Sequence, residues 1–209
     1  LFRSEYIIQT YGTDGVSTEF AIVAIEPTSE IKVNVKKTHK DNPFEPTYDS
    51  FSIGPMNAGD TYLYRSNDAS VSLSGTQICS TKPIAVFQGG QHADIPFGTP
   101  NKNHIYSMTS PLSLWGKKYI ATSSFYQRYD YVRITNANYS TTIEVTDNGI
   151  TSTLINSLSA YDTYQDTLYS DDSSPLAKYY KSNNPVECFM YLTDYNLNIH
   201  SRLEIGRAS

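Results

Sequence analysis

Along the chain, short runs of Val, Ile, Thr, Tyr and Phe alternate with polar positions and are cut by clusters of Gly, Pro, Asn and Asp. Alternation with a period of two over such short runs marks half-buried strands, because successive side chains of an extended backbone point to opposite faces. The spacing that would build an amphipathic helix is almost absent. The pattern predicts strands over Glu5–Gln9, Thr18–Ala24, Glu30–Lys36, Thr61–Arg65, Gln77–Cys79, Ile84–Gln88, Tyr119–Thr122, Tyr131–Asn136, Thr141–Thr146, Ile150–Ile155, Thr163–Leu168 and Val186–Leu192. Turn material separates them: Gly12–Gly15, Asn42-Pro43, Asn57–Gly59, Ser66–Asp68 and Asp147–Gly149. Asn148-Gly149 is the clearest hairpin, since a two-residue type I′ turn needs positive φ at both central positions.

The chain also resembles itself. Ala58, Asp60, Thr61 and Tyr62 recur 102 residues further on as Ala160, Asp162, Thr163 and Tyr164, and Ser80, Pro83 and Phe87 recur at the same offset as Ser182, Pro185 and Phe189. Upstream, Glu30–Val33 resembles Thr142–Val145, with about ten residues fewer before the Asp-Thr-Tyr element of the second copy. Proline has no N–H to donate, so it suits the first position of a strand. Each copy therefore ends on a proline-initiated apolar strand. The expectation is an all-β chain of two homologous, mostly antiparallel, sandwich-like modules in tandem, residues 1–108 and 109–209.

Composition sharpens this. There are 18 tyrosines, charged residues reach only 18%, and 39% hydrophobic content argues against disorder. A net charge of −5 at pH 7 argues against a phosphate-binding surface, so nucleic acid is not an expected partner. No apolar run approaches the roughly 18 residues of a membrane-spanning helix. The sequence opens on Leu1, and is read as an excised piece of something longer. Cys79 and Cys188 lie in no metal or redox spacing, and read either as one long-loop disulfide or as two buried thiols.

Chemistry-bearing residues are sparse. His92 and Asp94 alternate on an extended segment with His104 nearby in sequence, a set able to bind zinc or to move protons. Gly89-Gly90-Gln91 just before it lets a ligand approach the backbone closely. The competing reading is a connecting loop with structural histidines. Asp60 and Asp162 read as turn caps rather than a catalytic pair. Asp166, Asp171 and Asp172 have the composition of a calcium loop without its glycine or alternation, and read as a solvated acidic turn. Asn138-Tyr139-Ser140 is a formal glycosylation triplet. Tyr126, Tyr129 and Tyr131, and later Tyr161, Tyr164, Tyr179 and Tyr180, offer flat faces with polar tips, suited to sugars and protein interfaces. No nucleophile-elbow or phosphate-loop motif is present, so no catalytic residue, metal ligand or cofactor is assigned.

Three blocks carry a resemblance: Gly59-Asp60-Thr61-Tyr62-Leu63-Tyr64-Arg65-Ser66, then Leu73–Ile78 with Ser80-Thr81-Lys82-Pro83-Ile84-Ala85-Val86-Phe87, and then Leu114-Trp115-Gly116-Lys117-Lys118-Tyr119-Ile120. In this order, over roughly residues 18–192, they resemble the N-terminal domain of the IgG Fc-binding protein family. The resemblance implies a secreted or cell-surface module, part of a larger protein, that adheres without catalysis to a host or extracellular macromolecule: a mucin-type glycoprotein, a glycan or an immunoglobulin. A polysaccharide-acting hydrolase and a ligandless spacer of a surface protein are the alternatives. His92, Asp94, His104, Tyr126 and Tyr129 are the candidate ligand-contacting residues.

Overall fold

The computed structural model describes residues 4–11, 17–39, 41–93, 95, 103–124, 129–137, 140–169 and 176–193, and the backbone of 203–204. The described residues form strands β1 (Ser4–Ile7), β2 (Thr18–Ala24), β3 (Ser29–His39), β4 (Asn42–Met56), β5 (Thr61–Arg65), β6 (Val71–Ser72), β7 (Gln77–Ser80), β8 (Ile84–Ala93) and β9 (Asn103–Met108). After a short 3-10 turn at Leu112–Leu114 follow β10 (Gly116–Thr122), β11 (Tyr129–Asn136), β12 (Thr141–Asp147), β13 (Ile150–Leu158), β14 (Thr163–Tyr169), β15 (Ala177–Tyr191) and β16 (Leu203–Glu204). The protein is all-β, as its alternation predicts. It divides into two compact units, Leu1–Ala93 with His104–Leu114, and Asp94–Asn103 with Trp115–Ser209.

Unit 1 is a sandwich. One sheet runs β1-β7-β3-β4, with β6 also on β3, and the other runs β5-β2-β8-β9. The alternation of each strand sends Phe20, Ile22 and Ala24 of β2 and Ile84 and Val86 of β8 against Ile31, Val33 and Val35 of β3 and Ile78 of β7, with Tyr64 stacked on Phe20 at 5.1 Å. Burying each large side chain stabilises by about 1.5–3 kcal/mol.

Unit 2 uses one seven-stranded sheet, β13-β12-β15-β11-β14, with β10 and β16 also paired to β15. The first half of β15 takes β10 and β12, and its second half takes β11. Val132, Ile134, Leu168, Val186 and Cys188 pack with Tyr119, Ala121, Ile143, Val145 and Tyr180 in its core.

Three local arrangements occur in both units. Before the Thr-Tyr strand, a turn reaches back to the end of an earlier strand: Gly59 N–H donates to Ala24 O at 2.8 Å and Ala24 N–H to Asp60 O at 3.0 Å, while Tyr161 N–H donates to Asn136 O at 2.8 Å and Asn136 N–H to Asp162 O at 3.0 Å. The turn residue has φ of 88° at Gly59 and 64° at Tyr161. A buried tyrosine latches the proline strand: Tyr6 OH donates to Ile84 O at 2.6 Å and Tyr119 OH to Val186 O at 2.5 Å. A side chain caps the start of the next strand: Glu30 N–H donates to Thr81 Oγ1 at 3.1 Å and Thr142 N–H to Asn183 Oδ1 at 2.9 Å.

The twelve predicted strands all fall on strands of the fold, and Asn148 (φ 49°) and Gly149 (φ 78°) make the predicted turn between Asp147 and Ile150. Besides the two-residue strands β6 and β16, the sequence pattern overlooks three stretches. β4 contains Pro43, Pro46 and Pro55, which resemble turn material but are tolerated because β4 is a sheet edge. β15 passes straight through Asn183-Asn184-Pro185, where the sequence suggested a separating loop; the equivalent stretch of unit 1, residues 81–83, does separate β7 from β8. β9 was read as connecting chain around polar Asn103 and His104. Both thiols are free, with Cys188 buried and Cys79 half-buried. The Gly12–Gly15 turn, Asn138-Tyr139, and all of the tail beyond residue 193 except 203–204 lie outside the described residues.

Candidate functional site

The outward faces of β5, β2, β8 and β9 make a surface that the alternation of these strands builds. Because Phe20, Ile22 and Val86 point inward, Glu19, Ala21, Val23, Ala85 and Phe87 point outward. Register sets Ala21 opposite both Leu63 and Phe87, and Glu19 opposite both Arg65 and Gly89. On β9, Ile105 is buried, whereas His104, Tyr106 and Met108 are exposed. Phe87 and Tyr106 stack at 6.0 Å and 12°, and His104 stacks on Tyr106 at 5.7 Å and 18°. Leu63, Ala21, Phe87, Tyr106 and His104 thus form one row across four strands, with Leu63 53% and Met108 58% exposed beside it.

Gly89 makes the row possible. A Cβ there would stand 2.0 Å from Ile105 O and 2.7 Å from Tyr106 Cδ2, so only glycine lets β9 and the Tyr106 ring lie so close. The pattern expects a ligand to approach the backbone here; at Gly89 the close group is the protein's own strand β9.

A fixed charge flanks the row. Glu19 is nearly buried, and Arg65 Nε donates to its Oε2 at 2.8 Å while the arginine stays 42% exposed. With its amide oxygen turned toward the guanidinium, Gln91 accepts from Arg65 Nη1 at 3.2 Å and Nη2 at 2.9 Å. A buried carboxylate tolerates its position only when paired and hydrogen-bonded, so Glu19 and Gln91 hold the guanidinium in one orientation. Burial, followed by the nearby Glu19 charge, pushes the Tyr106 phenol up from its usual value, which keeps it neutral.

The sequence candidates scatter over this geometry. His104 belongs to the stack, and its Nδ1 lies 3.3 Å from Gln91 O. His92 is exposed on β8, next in sequence to Gln91 and therefore on the opposite face. Asp94 and Tyr126 lie outside the described residues, as do Asp171 and Asp172. Among the described residues, no group of three His, Cys, Asp or Glu side chains is placed to hold a metal ion. Tyr129 joins a second aromatic group in unit 2, with Tyr131 at 5.6 Å and Tyr169 at 6.4 Å. Asp60 caps its turn as expected, its Oδ2 accepting from Asn57 N–H at 2.7 Å. Asp166 is no part of an acidic turn; it is held in β14 by Lys178 and Tyr180. Leu63, Arg65, Phe87, Tyr106 and Met108 went unnoticed as site residues. Reading His104, Tyr106 and Met108 as alternate positions of one strand is the signal that would have found them.

A cleft of about 370 Å³ opens elsewhere in unit 1, between Glu30, Lys32, Ser52, Pro55 and Thr81. Among the described residues that line it, Glu30 is the one carboxylate. No helix of the described residues is long and apolar enough to cross a membrane.

An open aromatic sheet face on an all-β scaffold is the shape that suits one class, the binding module. Within that class, the family described as IgGFc binding protein matches residues 2–206, and the chain belongs to it. No curated protein and no solved structure matches the chain.

Proposed function

We propose that this chain is an extracellular, non-catalytic binding module, secreted or displayed at a cell surface as part of a larger protein, and that it engages a glycoprotein through the outer face of β5-β2-β8-β9. The observation that carries this reading is the row Leu63–Ala21–Phe87–Tyr106–His104, open to solvent beside an arginine already fixed by Glu19 and Gln91. Aromatic, methionine and arginine side chains are the residues that interfaces concentrate, and a guanidinium held in place before binding loses little freedom on contact. Family membership supports a binding role, and makes immunoglobulin Fc the first ligand to try.

The same reading treats the two units as copies of one module. The shared 102-residue offset, the recurring turn, the tyrosine latch and the strand cap support it. The ten-residue difference falls in the β3–β4 ribbon, which is longer than its counterpart β12–β13.

The test is binding of the purified chain to immobilised Fc, mucin glycoprotein and a glycan panel. Saturable binding that Tyr106→Ala weakens by at least about thirtyfold, equivalent to about 2 kcal/mol, is the expected result. Saturable binding untouched by changes at Tyr106, Arg65 and Leu63 moves the site elsewhere. The absence of any binding favours a spacer.

A further inference from the structure

We infer that Lys178 and Asp166 are poised to condense into an intramolecular amide that cross-links unit 2. Lys178 sits on the first half of β15, which pairs with β10 and β12, and Asp166 on β14, which pairs with β11. Their bond therefore joins strands that do not pair with each other. Lys178 Nζ lies 2.9 Å from Asp166 Oδ2, and the two side chains are only 14% and 13% exposed.

An ordinary ion pair needs nothing more, but this carboxyl group is equipped for acyl transfer. Oδ1 accepts from Thr167 N–H at 2.8 Å, the kind of backbone donor that stabilises a tetrahedral oxyanion. Oδ2 accepts from Tyr180 OH at 2.8 Å, so a hydroxyl proton already rests on the oxygen that would leave. The amine is held from its other side by Thr167 O at 2.8 Å. Burial, followed by the Asp166 charge, raises the Tyr180 phenol's affinity for its proton, so Tyr180 stays a hydrogen-bond donor to Oδ2.

The reaction balances without any other reactant. Lys178 passes one ammonium proton to Asp166 Oδ2, the oxygen it already contacts, and Nζ attacks Asp166 Cγ to form the C–N bond. A second proton from nitrogen reaches the same oxygen, the C–Oδ2 bond breaks, and water leaves while Tyr180 OH holds that oxygen. The net change is ammonium plus carboxylate giving amide plus one water. Contact within van der Waals distance and alignment are what turn such a slow condensation into a feasible one.

Intact mass of the folded full chain tests this directly. The expected mass is lower than the sequence mass by one water, with a branched peptide joining Asp166 to Lys178 after digestion. Lys178→Arg, which keeps the ion pair, restores the full mass. Asp166→Asn loses one ammonia instead. Tyr180→Phe slows the loss. A folded chain of full sequence mass overturns the inference, as does a water loss that survives Lys178→Arg.

Discussion

The interiors of the two units differ most where their frames agree. Two positions beyond the Thr-Tyr element, unit 1 carries Tyr64 and unit 2 carries Asp166. Tyr64 stacks on Phe20 at 5.1 Å and on Phe51 at 5.8 Å, an apolar filling. Asp166 instead meets Lys178 and Tyr180, a charged filling. Yet the turn before each strand, the latch behind it and the register beside it are the same: Ile22 faces Tyr62 and Val86, and Ile134 faces Tyr164 and Cys188. The frame is held by backbone bonds and a few side-chain caps, so the filling is free to change chemistry. The outer faces differ too. Phe87 is half-buried in an open row, whereas Phe189, 102 residues on, is fully buried.

Changes to the filling have the largest expected effect. Phe20→Ala removes the ring on which Tyr64 stacks, and is expected to lower stability by about 3–5 kcal/mol in urea unfolding. In unit 2, Asp166→Ala leaves the Lys178 ammonium without its carboxylate, and about 2–3 kcal/mol is expected relative to the uncondensed ion pair, which retains slight solvent access. The latches come next. Tyr6→Phe and Tyr119→Phe each leave a buried carbonyl without its donor, for about 1–2 kcal/mol apiece. A negligible loss at either tyrosine would break the comparison of the two frames. The smallest effect is at the turn. Gly59→Ala, with open space around it, should cost about 1 kcal/mol for its positive φ alone, read by thermal melting.

The sequence revealed much of this frame because its signals are local. Alternation located the interior of β2 and β3, Asn148-Gly149 declared its hairpin, and the Ala-Asp-Thr-Tyr repeat marked both turns. The Trp-Gly-Lys-Lys-Tyr block also has a physical reason: Gly116 N–H donates to Tyr119 OH at 2.8 Å, and a side chain at Gly116 would crowd that hydroxyl. The binding face was not legible, because it is assembled from four strands that are far apart in sequence, and from a close approach at Gly89 that only tertiary structure explains. His104 was singled out for titration, but the fold uses its ring as a stacking surface. The Lys178–Asp166 pair was hidden because the two residues lie on strands that never pair, and Asp166 had been grouped with its acidic neighbours in sequence.

The unit 1 sheet face is the proposed ligand surface. Its most direct test compares Fc and mucin binding by the wild type, by the face variant Leu63→Asp/Tyr106→Ala, and by Tyr129→Ala/Tyr169→Ala in unit 2, with circular dichroism confirming the fold of each. The account predicts that the face variant loses binding while the unit 2 variant keeps it. Full binding by the face variant, or loss confined to the unit 2 variant, would contradict it.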